Sequence, residues 1–190
     1  MIDENQRANL AQTMIEHYSN AILEFVRTHP LGEPIFCMAI AYDDSNCDML
    51  PPLIGIGLES ERIAYFEEYP DNAGKTWGLW QPSDFAHFSL DLPQTQVTSH
   101  LFQQLNDIDC TSEDEDHQWG DFTIYVLRAL SSRLMTLDLA SVAQLTSDFV
   151  VYTVSIDEAD ADQLEHYFRQ AIPVGILNQL ESKGYLWFKL

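Results

Sequence analysis

Cationic side chains are scarce in this sequence. Only 9 Lys and Arg stand against 30 Asp and Glu, giving a formal net charge of −21 and an isoelectric point near 4.2. The cations that exist come singly, at Arg7, Arg27, Arg62, Lys75, Arg128, Arg133, Arg169, Lys183 and Lys189. Nucleic-acid binding needs clustered Lys and Arg to neutralise phosphates, so it is not expected here. An anionic lipid surface is disfavoured by the same field. Cysteine is equally sparse, with Cys37, Cys47 and Cys110 forming an odd set without a CxxC pair. That leaves neither a zinc site nor a disulfide framework, and Cys37, inside an apolar run, reads as a small buried hydrophobe. Long apolar runs are missing too. The longest, Ile35 to Tyr42, falls far short of the roughly 20 residues a bilayer helix needs. The opening Met-Ile-Asp-Glu-Asn lacks the basic-then-apolar order of a signal peptide, so the expected location is the cytoplasm.

Motifs that carry chemistry are incomplete wherever they begin. Gly55-Ile-Gly57 follows a strand-like run, but a dinucleotide loop would have Gly or Ala where Ser60 stands, and Glu59 and Glu61 would repel a pyrophosphate. Two glycines in a bulged strand fit better. Asp44, Asn46 and Asp48 alternate like the first ligands of a calcium loop, yet Met49 and Gly55 occupy the positions that need Gly and Glu. The run Glu113-Asp-Glu-Asp-His117 could attract a cation, but consecutive residues on a loop do not all converge, and such runs are usually solvated. The six histidines, at 17, 29, 87, 100, 117 and 166, form no HExxH, and no Ser or Cys lies in a GxSxG-type motif. A role for His87 or His100 with a distant Asp stays open, because triads assemble in space. No catalytic, cofactor-binding or metal-binding residue is therefore assigned, and no cofactor is expected.

What is present suffices for a folded domain. The 190 residues are 46% hydrophobic and 12% aromatic, which argues for a single globular domain over 1–190 with a substantial core. Leu10, Met14, Tyr18, Ile22 and Phe25 recur at helical spacing and predict a long amphipathic helix from Asn5 to His29, stopped by Pro30 and Gly32. The run at 34–42 is apolar on both alternating faces and reads as a central strand. Residues 50–58 read as its hairpin partner, with Pro51 and Pro52 confining the start to an edge or bulge. Ser60 to Tyr69 fits either a short helix capped by Ser60 or a third strand.

The rings of Trp77, Trp80, Phe85 and Phe88 read as a cap over the core rather than a recognition surface. Pro82-Ser83-Asp84 reads as a helix start with Ser83 as cap. Helices are also predicted at 95–105, 119–139, 157–170 and 174–182, the last ended by Gly184. An acidic loop is expected at 107–121. The β-branched and aromatic run at 148–156 is the clearest strand. The fold class is α+β: a small mixed or antiparallel sheet, with strands near 34–42, 50–58 and 148–156, packed by several helices.

The order of these elements, together with Gly78-Leu-Trp80-Gln-Pro82-Ser-Asp-Phe85, resembles the bacterial domain of unknown function 4303 family. The likeness rests on three features: the long first helix leading into the Ile35–Tyr42 run, the Trp-x-Pro-x-x-aromatic step at Trp80, Pro82 and Phe85, and the strand entering an acidic turn from Val150 to Asp160. Phe85 stands where the family pattern would have Trp. The family has no established activity, so no catalytic residue carries over. Its resemblance to proteins found near bacterial toxin systems implies an immunity or antitoxin-like binding role.

The leading expectation is a non-enzymatic interaction protein that offers acidic surface to a basic protein partner, steered electrostatically. The residues assigned to that contact are Glu113, Asp114, Glu115 and Asp116 in the central acidic loop, and Asp157, Glu158 and Asp160 at the start of the helix predicted at 157–170. One alternative is a hydrolase using Asp or Glu with a His or a divalent metal. Another is a structural or regulatory subunit, whose apolar Tyr185-Leu-Trp-Phe188 pairs as an edge strand or dimerises.

Overall fold

The protein is described by a computed structural model covering residues 4–42, 52–70, 76–90, 116–156 and 161–190. In chain order its helices and strands are α1 (Glu4–Thr28), β1 (Ile35–Tyr42), β2 (Leu53–Leu58), α2 (Glu59–Glu68), β3 (His87–Leu90), α3 (Asp116–Thr136), β4 (Leu145–Ser155), α4 (Ala161–Ala171) and α5 (Val174–Ser182). Short 3-10 turns at Thr76–Trp80, Pro82–Asp84 and Leu139–Ser141 join them. The strands form one mixed sheet in the order β3-β2-β1-β4. β1 and β2 are an antiparallel hairpin and β4 lies parallel to β1 on its other side. This is a single α+β domain, as the pattern of elements predicts.

β1 is apolar on both sides because both sides of the sheet are covered, and all eight of its residues are buried. On one side Met38, Ile40, Tyr42, Ile54, Ile56 and Val151 meet the stripes of α1 (Leu10, Met14, Ile22, Val26) and α3 (Val126, Leu130, Leu134). On the other side the strands present Ala39, Ala41, Val150, Tyr152 and Val154 to Trp80, Phe85, α4, α5 and the final residues Leu186 and Phe188. The small residues on this second side leave room for rings. A Cβ at Gly57 would stand 2.6 Å from both the Phe36 ring and the Cys37 sulfur, and one at Gly55 would stand 3.0 Å from Pro82. Those two glycines therefore belong to a strand, as expected, whose register is irregular between Ile54 and Ile56 and which aromatic side chains cross.

Several local expectations change in detail. Residues 59–68 are helix, not strand, and Ser60 is not its cap; Leu58 precedes the helix, and Glu61 Oε2 accepts from the Leu58 amide at 2.7 Å. The Ser60 amide is taken instead by Glu33 from across the chain, at 3.0 Å. Ser83 does not cap a helix either, since Pro82 opens only a three-residue 3-10 turn after Gln81. α3 runs from Asp116 to Thr136, so its first turns occupy sequence expected to be loop. β4 begins at Leu145, earlier than its β-branched stretch.

The four-residue β3 was not expected, because so short a strand has no period of its own. The edge strand raised for Tyr185–Phe188 in the structural-subunit alternative does not form within the chain: Gly184, at φ 73°, closes α5 with the Tyr185 amide bonded back to Leu180 O at 2.9 Å, a left-handed helix stop. Leu186 and Phe188 then turn into the core. The expected helix at 95–105, the polar turn after β1, and Cys47 and Cys110 lie outside the described residues.

Candidate functional site

Folding places one charge centre inside the molecule. Arg62 lies on the inward face of α2 and is 3% exposed. Its guanidinium donates to both oxygens of Asp148, Nη1 to Oδ2 at 3.2 Å and Nη2 to Oδ1 at 3.3 Å. Nη2 also meets Glu59, one turn earlier, at 2.5 Å. Lys183, at the end of α5, donates to Asp148 Oδ2 at 2.8 Å. The guanidinium is packed between two rings, 5.0 Å from the Phe36 centroid and 4.3 Å from that of Tyr185. Burial alone would raise the Asp148 carboxyl, but the Lys183 ammonium and the Arg62 guanidinium outweigh it and hold the group below its ordinary value.

Two cations and two carboxylates thus compensate one another in one place. Arginine suits it because its flat, weakly hydrated head can stack on rings while forking onto a carboxylate. The arrangement ties α2, β4 and the end of α5 together and presents no nucleophile. An Asp opening a β-branched run was the one visible sign of it, and nothing marked Arg62 apart from the other scattered cations.

A second polar group sits where β1 and β4 end side by side. The hydroxyls of Tyr42 and Tyr167 meet at 3.1 Å, and the Arg128 guanidinium lies 4.9 Å from the Tyr167 centroid. Nearby, Ser131 and Thr153 share a 2.6 Å hydrogen bond between α3 and β4. These contacts hold α3 and α4 against the outer edge of β4, where Met135 sulfur accepts from the Val151 amide at 3.1 Å.

The Trp-x-Pro-x-x-aromatic step that carries the resemblance is made of core residues. Trp80 is fully buried and Phe85 nearly so, and Trp80 is held at two points. Its indole nitrogen donates to Tyr185 O at 3.0 Å, and its carbonyl accepts from Tyr152 Oη at 2.6 Å. Of the four clustered rings, Trp77 alone is exposed, at 41%. Burial pushes the thiol of Cys37 and the phenol of Tyr152 well above their usual values, as expected of inert groups.

Of the residues assigned to partner contact, Glu113, Asp114, Glu115, Asp157, Glu158 and Asp160 lie outside the described residues. Asp116 opens α3, and only its helical backbone is described. Among the described residues no three His, Cys, Asp or Glu side chains group closely enough to hold a metal ion. The described histidines sit apart: His29 stacks on Phe25 at 4.4 Å, His166 meets Gln170 at 2.9 Å, and His87 lies in β3 opposite Ile56.

Two surface hollows flank the end of α1. One, of about 200 Å³, lies between His29, Glu33 and Ala143. The other, of about 470 Å³, lies between Arg27, Asp138 and Val142, and Glu24 and Asp138 are its only two carboxylates. No described helix is long and apolar enough to cross a membrane. No family model, no curated protein and no solved structure matches this chain.

Proposed function

We propose that this chain is an acidic, non-enzymatic interaction domain that binds a basic protein partner. The observation that carries the reading is that most of the described cations are engaged within the chain while carboxylates stay free at the surface. Arg62 and Lys183 are used on Asp148, Arg27 pairs with Glu24 and Arg169 with Glu165, and Arg128 is laid on Tyr167. Meanwhile Glu16, Glu67, Glu68, Asp84, Asp138 and Asp162 remain exposed on several elements.

A chain of net charge −21 that occupies its own cations in this way offers a negative exterior. Such a field accelerates encounter with a positive partner and repels polyanions. An immunity or antitoxin-like role, as the family resemblance implies, is the form of this reading that fits an acidic protein and a basic toxin domain. The two described carboxylates that do meet, Glu59 and Asp148, are taken up by Arg62 and Lys183, and among the described residues no observation favours the hydrolase alternative.

The test is affinity isolation from the native host at low ionic strength, followed by a salt titration of the purified pair. The expected result is a basic protein whose dissociation constant rises steadily with salt. Recovery of no basic partner at low salt would end the proposal.

A further inference from the structure

We propose that the outer face of α2 and the turn beside it, where Tyr65, Tyr69 and Trp77 lie among Glu68 and Asp84, is the surface on which that basic partner docks, and that it accepts arginine side chains. The inference rests on the basic-partner reading and adds the location and chemistry of the contact.

The geometry comes from three links. Tyr65, in the last turn of α2, and Tyr69, the residue that closes it, have ring centroids 5.1 Å apart. The turn Thr76–Trp80 is brought against Tyr65 at Gly78, where a Cβ would lie 3.2 Å from the Tyr65 hydroxyl, and Trp77 immediately precedes Gly78. Asp84 closes the following turn, Pro82–Asp84. Its charge reaches the Tyr69 phenol, which is held above its ordinary value chiefly by the adjacent Glu68, with smaller contributions from Tyr65 and Asp84. Tyr69 is 45% and Trp77 41% exposed, and both Glu68 and Asp84 face solvent.

Aromatic faces bordered by carboxylates are what a guanidinium prefers. The ring quadrupole attracts the cation while the carboxylates fork onto its N–H groups. The molecule uses the same combination internally, where Arg62 lies between Phe36 and Tyr185 while bonded to Asp148. Arg169 repeats it on Phe188 at 4.7 Å, beside Glu165. On the outer face no cation of the described residues lies over Tyr69 or Trp77. Charge complementarity therefore selects a basic protein segment rather than a second copy of this acidic chain. Tyr and Trp are also the residues that carry binding energy at protein interfaces.

The test uses the full chain at low ionic strength with two labelled probes, an oligo-arginine and an oligo-lysine peptide of equal length, followed by fluorescence anisotropy. Tyr69→Ala and Trp77→Ala are each expected to weaken oligo-arginine binding by about 2- to 5-fold and oligo-lysine binding by less. Neutralising the acidic run (Glu113→Gln, Asp114→Asn, Glu115→Gln) should lower both affinities together. If Trp77→Ala loses its fold by circular dichroism, Tyr69→Ala and Glu68→Gln, both at exposed positions where α2 ends, decide the matter.

Oligo-arginine binding unchanged by Tyr69→Ala, Trp77→Ala and Glu68→Gln but lost in the 113–115 variant would overturn this surface and leave the basic-partner reading intact. Failure of both peptides to bind at low salt would overturn both.

Discussion

The two faces of the sheet are closed by different chemistry. Against α1 and α3, aliphatic strand residues such as Met38, Ile40 and Ile56 meet aliphatic helix stripes, and burial of apolar area alone stabilises the contact. Against α4, α5 and the closing residues, β1 and β2 carry small residues, Ala39, Ala41, Gly55 and Gly57, among larger strand side chains. The space is filled by Phe36, Trp80, Phe85, Tyr152 and Phe168, with a paired Arg62 and Asp148 at the margin. An aliphatic layer tolerates adjustment among similar side chains. A layer of interlocked rings and charges depends on each member being in place.

Breaking the charge centre gives the largest expected effect. Asp148→Ala leaves Arg62 buried without its principal partner and should cost about 3–5 kcal/mol in urea unfolding at neutral pH. The same interaction sets a pH dependence. The folded-state value of Asp148 is lowered, so its contribution is present above the unfolded carboxyl value and is lost as pH falls from about 4 through the folded value. The stability gap between wild type and Asp148→Asn should therefore narrow on acidification; a gap that is constant down to strongly acid pH would refute the ionic account.

On the aliphatic face Leu130→Ala, at a fully buried position of α3, should cost about 2–5 kcal/mol without any dependence on acid titration. That contrast separates the two faces in one experiment.

Gly57→Ala sharpens it further. The added methyl meets Phe36 and Cys37 at 2.6 Å, and overpacking of this kind costs about 1–3 kcal/mol. Gly175→Ala in α5, where nothing lies within 4 Å, should instead stabilise by about 0.5–1 kcal/mol. The smallest effect is expected at the surface. Glu165→Gln loses the partly exposed pair with Arg169 and should change stability by less than about 1 kcal/mol, less still in high salt.

The aliphatic face was legible in advance because its information is periodic. The spacing of Leu10, Met14, Tyr18 and Ile22 implies a buried stripe whatever lies opposite, and the unbroken apolar run of β1 implies cover on both sides. The ring-and-charge face was not. Trp80, Tyr152 and Tyr185 are far apart in the chain, and their hydrogen bonds follow no local period. Tyr185 to Phe188 looked like a strand because its composition suits one. It forms none because the carbonyl of Tyr185 is taken by the indole of Trp80 and Phe188 is drawn under α4 by Phe168, 6.4 Å away between centroids. The acidic segments expected to meet a partner were chosen for charge density alone, whereas the α2 surface emerges only when Tyr69, Trp77 and Asp84 are brought together.

Composition and periodicity by themselves determined the sign of the surface, the α+β class, the central strand and the principal helices, because each depends on neighbours within a few residues. Only the tertiary structure decided that β4 joins β1 in parallel, that Arg62 finds Asp148 across 86 positions, and which rings stay outside. Those outcomes depend on contacts between distant segments, whose free energy exists only once the chain has closed around them.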